Sequence, residues 1–231
     1  MVRIAGVVAA VIVVLGVLAQ VLLPPIAAST VRDEVAKYGT VRSVEVKAWP
    51  AVKLVFKHAD EVKVRAGRLK IGATQAVALL KKATGTETLM ASAESVEIGG
   101  LGLAEGGGLR LTDTKLEKHG SALRVEMVVS QEDIKRSLPN GLEMTFVKSE
   151  EGRVTVRASG RLFGGVGASV EAVVEAEEGK LVARPTALLL SALKLTVFDD
   201  PSIRVEGVEA HALGSAGTGA RYELTMLASL Q

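Results

Sequence analysis

From Ile4 to Leu23 the chain reads IAGVVAAVIVVLGVLAQVLL, an uncharged run in which Gln20 is the only strongly polar side chain. About 20 helical residues at about 1.5 Å each reach roughly 30 Å, the thickness of a bilayer's hydrocarbon core. A helix inside a soluble core rarely needs so long an uncharged stretch. The many Val and Ile residues are no obstacle, because in lipid the backbone must close its own hydrogen bonds. Arg3 precedes the run, and the next charges are Arg32 and Asp33. That asymmetry puts the N-terminus in the cytoplasm and the body outside. Residues 1–25 are therefore expected to form a single-pass transmembrane signal anchor, ended by Pro24-Pro25, with residues 26–231 as one extracytoplasmic β-rich domain. Cleavage near Ile26-Ala27-Ala28-Ser29 would release the body as a secreted protein, but the site is a poor match to a signal-peptidase pattern. The chain contains no cysteine, so lipoprotein acylation is excluded.

An exported domain without disulfides must be stable through its core alone, and about two hundred residues suffice for that. The net charge is +2, with Lys and Arg interspersed among Asp and Glu. No basic stripe marks a nucleic-acid surface.

Past the prolines, Ser29 or Thr30 can cap a short helix, with Asp33 and Glu34 in its first turn and Gly39 at its end. The period then changes to two. Val41 to Ala48 alternates, Trp49-Pro50 stops it, Ala51 to His58 reads as a helical turn or two, and Asp60 to Ile71 alternates again. Thr74 to Gly85 has a polar start, strong helix formers, late lysines and a closing glycine, as a helix should. Strands are expected at 88–98, 109–117, 121–129, 142–148, 153–162, 166–177, 180–184, 191–197, 203–212 and 219–229. Ser130-Gln131-Glu132-Asp133 is a capping-box variant that starts one more short helix. Glu150-Glu151-Gly152 and Glu177-Glu178-Gly179 are turn candidates.

Chemistry is sparse. His58, His119 and His211 lack metal-like spacing and read as surface or edge residues. Ser215 lacks a nucleophile-elbow context. Gly100 to Gly108 precedes a strand, whereas a phosphate loop opens a helix. The pairs Glu150-Glu151, Glu177-Glu178 and Asp199-Asp200 lie at turns. No catalytic residue, metal or cofactor is expected. Aromatics make up 3% of the chain. Inward faces of Val, Leu and Ala suit either an ordinary core or a cavity for an acyl chain.

The stretch VRSVEVKAWPAVKLVFKHADEVKVRA at 41–66 resembles the actinobacterial LmeA-type family of phospholipid-binding envelope proteins. The carrying features are Ala48-Trp49-Pro50, Leu54-Val55-Phe56, and Ala59-Asp60 ahead of an alternating strand. The resemblance implies an α+β, β-rich fold, with a long antiparallel sheet wrapped around a helix as in tubular lipid-binding domains. It also implies non-catalytic binding or transfer of a phospholipid or related amphiphile in the cell envelope. On this footing Trp49, Leu54, Phe56, Phe163 and Phe198 are candidates to meet acyl chains, and Lys53, Lys57 and Arg65 to meet a head group. Trp49 would sit at a cavity mouth or plug the core at a strand end. The rival functions are an envelope enzyme acting on lipid or glycan, and a scaffold that binds another envelope protein.

Overall fold

A computed structural model describes residues 2–99, 108–139, 142–161, 167–187, 194–214 and 219–231, with side chains from residue 18 onward except those of 161 and 167. Residues 100–107, Phe163, Ser215 and the start of the strand expected at 191–197 lie outside the described residues. The chain opens with helix α1 (Val2–Ala36), followed by strand β1 (Gly39–Lys47) and a 3₁₀ turn (Ala51–Phe56). Strand β2 (Ala59–Gly72), helix α2 (Ala73–Lys82) and strand β3 (Thr86–Gly99) come next. Strands β4 (Leu109–His119) and β5 (Ala122–Ser130) lead to helix α3 (Gln131–Ser137). The remainder is β6 (Leu142–Glu150), β7 (Arg153–Arg161), β8 (Gly167–Glu177), β9 (Lys180–Pro185), β10 (Leu195–Phe198), β11 (Ile203–Leu213) and β12 (Arg221–Leu230).

The strands form two sheets. One has seven strands in the order β1-β2-β3-β4-β5-β12-β11, and the other has five in the order β10-β9-β8-β7-β6. This corrects the expectation of one long antiparallel sheet. The larger sheet is also mixed, because β2 and β3 run parallel, with Ala59 opposite Thr86 and Gly72 opposite Gly99. The reason is α2. A parallel return needs a crossover of about a dozen residues, and α2 with its flanks supplies it.

Local chemistry explains most element ends. At the start of α2, Gln75 Oε1 turns back to accept the Gly72 N–H at 2.8 Å. At the start of α3, Ser130 Oγ accepts the Asp133 N–H at 3.0 Å, as the capping variant requires. The two Glu-Gly pairs are tight hairpin turns with φ of 51° and 74° at Glu151-Gly152 and 51° and 84° at Glu178-Gly179. Positive φ at both central positions is the turn whose twist matches adjoining strands.

The proline pair is a second correction. Pro24 and Pro25 lie inside α1, so the helix runs through them and Ser29 caps nothing. Ser29 Oγ and Thr30 Oγ1 instead donate back to the Ile26 carbonyl at 2.8 and 3.1 Å. Two missing N–H groups cost the helix two bonds, and packing outweighs them. Ala27, Ala28, Val31 and Val35 press onto Val46, Ala59, Val62, Val64 and Leu89 of the larger sheet. Glu34 ties α1 to α2 through Lys82 at 2.5 Å and also meets Lys37 at 2.8 Å. Hydrogen bonds from Lys37 and then Lys82 hold its carboxyl down at about 2.

The same face of that sheet carries Ala66, Ile71, Ala93, Val96, Leu111 and Val129, covered by Ile134 of α3 and by Met144 and Phe146 of β6. Phe146 meets Tyr222 with ring centroids 4.3 Å apart. The alternating apolar positions of β2 shift from even to odd between Ala66 and Leu69. That is where pairing with β1 slips, from Val41–Ala66 to Gly39–Leu69. A bulge moves every later side chain to the other face. The smaller sheet meets the larger at β11. The Val205 N–H donates to the Gly179 carbonyl at 2.8 Å, and the Ala210 N–H donates to Ser149 Oγ at 2.9 Å.

Two charged side chains are buried among the described residues, Asp133 and Lys118. Lys118 is 1% exposed and its ammonium donates to the Thr86 carbonyl. Burial holds that ammonium below the usual lysine range. The unfolded chain therefore binds more protons than the folded one as pH approaches the free-lysine value of about 10.4, and stability contributed by this site rises with pH. Unfolding titrations from about pH 7 to pH 10 should show the wild type gaining on the Lys118→Met variant. A stability difference that stays constant across that range would remove the buried charge as its cause.

Candidate functional site

Just past the C-terminal end of β1 the backbone is held from two sides by three side-chain hydrogen bonds. Gln20, the lone polar side chain in the apolar run, uses both ends of its amide. Its Nε2 donates to the Ala48 carbonyl at 3.2 Å, and its Oε1 accepts the Ala51 N–H at 2.8 Å. From the other side the Asp60 carboxylate accepts the Trp49 N–H at 2.5 Å and meets the Lys53 ammonium at 3.0 Å. The Lys53 ammonium, and then the Trp49 amide, hold Asp60's carboxyl below the usual range. The Trp49-Pro50 peptide is cis.

Small residues stand where the backbones approach most closely. Ala48, Ala51 and Ala59 are 5%, 1% and 9% exposed. Gly85 lies against the loop's far end, where an added Cβ would come within 2.3 Å of the Lys57 carbonyl oxygen. The 3₁₀ turn ends at Lys57, which takes a left-handed conformation (φ 60°) and donates its N–H to the Leu54 carbonyl.

This clamp turns the large apolar side chains outward. Trp49 is 72% exposed, Phe56 70%, Val55 62% and Val52 48%. The neighbouring helix adds exposed Leu18, Val21, Leu22 and Ile26. Scattered exposed apolar residues are ordinary, but a tethered cluster that includes the sole tryptophan is a candidate contact surface.

The sequence-predicted residues divide accordingly. Trp49, Phe56, Lys53 and Lys57 share the loop. Trp49 does not plug the core. Leu54 turns inward, half-buried against the cluster of Val46, Ala59, Val62, Val64 and Leu89. Phe198 lies elsewhere, half-buried against Val77, Leu123, Ile203 and Ala228. Arg65 is exposed on β2, opposite Ser43 of β1 and Ser92 of β3, five residues beyond Asp60 and so about 17 Å along the strand. Phe163 lies outside the described residues. The structure adds Gln20, Asp60, Val52 and Val55. Gln20 carried a signal as the one polar side chain in an apolar run, and Val55 and Asp60 stood within the motifs of the family resemblance, but none of them was singled out as a site residue.

A second feature lies at the opposite end of β1. A cleft of about 530 Å³ is lined by Tyr38, Thr40, Arg42, Gly67, Arg68, Lys70 and Glu94. Arg42 pairs with Glu94 at 2.5 Å, and Lys70 with Glu97 at 3.0 Å. Its charged walls do not suit an acyl chain. His58, His119 and His211 are all exposed. Among the described residues no group of three or more His, Asp or Glu side chains is gathered as a metal site.

A family model described as LmeA-like phospholipid-binding matches residues 14–224. No curated protein and no solved structure matches the chain.

Proposed function

The chain belongs to the LmeA-like phospholipid-binding family, and from that membership we propose a non-catalytic phospholipid-binding protein held on the extracytoplasmic side of the cell membrane. In this reading residues 1–25 are a retained signal anchor, and residues 26–231 act as one domain that binds, and can pass on, a phospholipid. Among the described residues no helix is long and apolar enough to cross a membrane. The run Ile4–Leu23 falls mostly on residues whose side chains lie outside that description, and its hydropathy is what supports the anchor.

The observation that carries the binding proposal is the clamped loop with Trp49, Val52, Val55 and Phe56 facing outward. Each CH₂ removed from water contributes about 0.8 kcal/mol, so contact with part of one acyl chain gives useful affinity. An indole ring suits the boundary between apolar and wet surroundings. Lys53 and Lys57 belong to the same segment and can meet a phosphate, and Lys53 is already neutralised in part by Asp60. The inner face of the larger sheet is occupied by packed side chains. In this reading the lipid meets the loop, which Leu54 backs from within, while Phe198 packs in a separate cluster and takes no part.

Native mass spectrometry of the full chain, released from mild detergent and followed by solvent extraction, tests this. The expected result is one phospholipid per protein, lost in a Trp49→Asp, Phe56→Asp double variant that keeps its far-ultraviolet circular dichroism. A chain that carries no lipid and takes up none from phosphatidylglycerol micelles overturns the reading.

A further inference from the structure

We propose that the Ala48–His58 loop is immersed in the outer leaflet of the bilayer that α1 crosses, and so fixes the domain against the membrane at the depth where lipid is taken up. The inference rests on α1 being the retained anchor. What it adds is a second point of attachment, made of different residues, with the leaflet itself as the partner.

The geometry points to this through Gln20. The apolar run ends at Leu23, three residues after Gln20, or about 5 Å along a helix. Gln20 therefore lies just inside the apolar–aqueous boundary when Ile4–Leu23 spans the hydrocarbon. Its amide is bonded to Ala48 and Ala51, the residues that flank Trp49-Pro50. The loop is thereby held at Gln20's own depth. At that depth it presents Trp49, Val52, Val55 and Phe56, between 48% and 72% exposed. Aromatic rings concentrate in this zone of membrane proteins, and lysine stems reach from it toward phosphates. Lys53 and Lys57 stand on the same turn and supply such stems. The remainder of α1, from Ala27 to Val35, is committed to the sheet and not to lipid. Helix and loop thus leave the membrane together as one rigid end of the domain.

The amide also gains a reason to exist. A glutamine in hydrocarbon without partners is costly. Here both ends of the amide are satisfied by a backbone that the same side chain draws down to the membrane.

The chain has no cysteine, so single nitroxide labels can be placed without background. Val52→Cys, Val55→Cys and a control, Val197→Cys on β10, are labelled in the full chain and reconstituted in vesicles of equal parts phosphatidylcholine and phosphatidylglycerol. Collision with oxygen, which partitions into lipid, is compared with collision with a water-soluble nickel chelate. The expected result is an oxygen-to-nickel ratio clearly above the control at both loop positions, as for a site beneath the head groups. Free access of nickel at the loop overturns the proposal. So does low access of both reagents, which would mean a pocket sealed by protein. Neither outcome touches the lipid stoichiometry from mass spectrometry, so leaflet docking and lipid binding fail separately. Resistance of α1 to extraction at alkaline pH checks the anchor on the same vesicles.

Discussion

Replacing Gln20 by leucine makes the N-terminal run more apolar and the domain less stable, by about 2–6 kcal/mol. The sum follows from what the substitution strands. The Ala48 carbonyl and the Ala51 N–H each lose their Gln20 partner, and Ala51 is only 1% exposed. A buried polar group left unpaired costs about 1–3 kcal/mol. Urea unfolding of the full chain in mild detergent measures the loss, and hydrogen exchange at Ala51 localises it. A leucine variant with wild-type unfolding and protected Ala51 would mean that the amide bonds contribute nothing. Gln20→Glu separates shape from chemistry. It keeps the acceptor for Ala51 but sets a carboxylate against the Ala48 carbonyl, so at neutral pH it should fall below both wild type and leucine, as an unpaired charge in an apolar setting dictates.

Gly39→Ala should be the more damaging change to the fold itself, at about 3 kcal/mol or more. Gly39 has φ 153°, a region nearly closed to residues with a Cβ, and an added Cβ would stand 2.0 Å from the Arg68 carbonyl oxygen. Neither backbone can give way cheaply. The adjoining Lys70 N–H donates to the Tyr38 carbonyl at 2.7 Å, and Gly39 pairs with Leu69 where the register slips. Gly120→Ala is the control. It has φ 59° but nothing within 4 Å of an added Cβ, so it reports the cost of backbone conformation alone. Equal losses from both substitutions would show that the close approach to Arg68 is irrelevant.

These two sites also show which features of the chain are legible from residues alone. Local physics reads well. The period-two runs became strands with ends within a few residues of expectation, because one buried face imposes alternation. Ser130 capped α3, and Glu-Gly formed both hairpin turns, because a cap and a left-handed turn depend on neighbours in sequence. Trp49 and Phe56 were named as candidate contact residues on the family resemblance over 41–66, because they are the large aromatic residues of its motifs. Pro24-Pro25 misled, since a helix end inferred from proline ignores the packing of Ala27, Val31 and Val35 that carries the helix through.

Pairings between distant residues were not legible. Nothing in β2 or β3 announces that they run parallel, because the alternation in either strand is the same whichever way its neighbour points. The division into two sheets, joined where the turns at Gly152 and Gly179 meet β11, is likewise a matter of non-local contact. The site belongs to the same class. Gln20 and the Ala48–Ala51 backbone are about 30 positions apart, and Asp60 approaches from a different strand. The sequence by itself determined the apolar run, the strand periods, the caps and the aromatic residues available for contact. Only the tertiary structure decided that Trp49 and Phe56 face outward while Leu54 faces in. That choice depends on three hydrogen bonds to a backbone whose partners are chosen by the fold, and not by their neighbours in the chain.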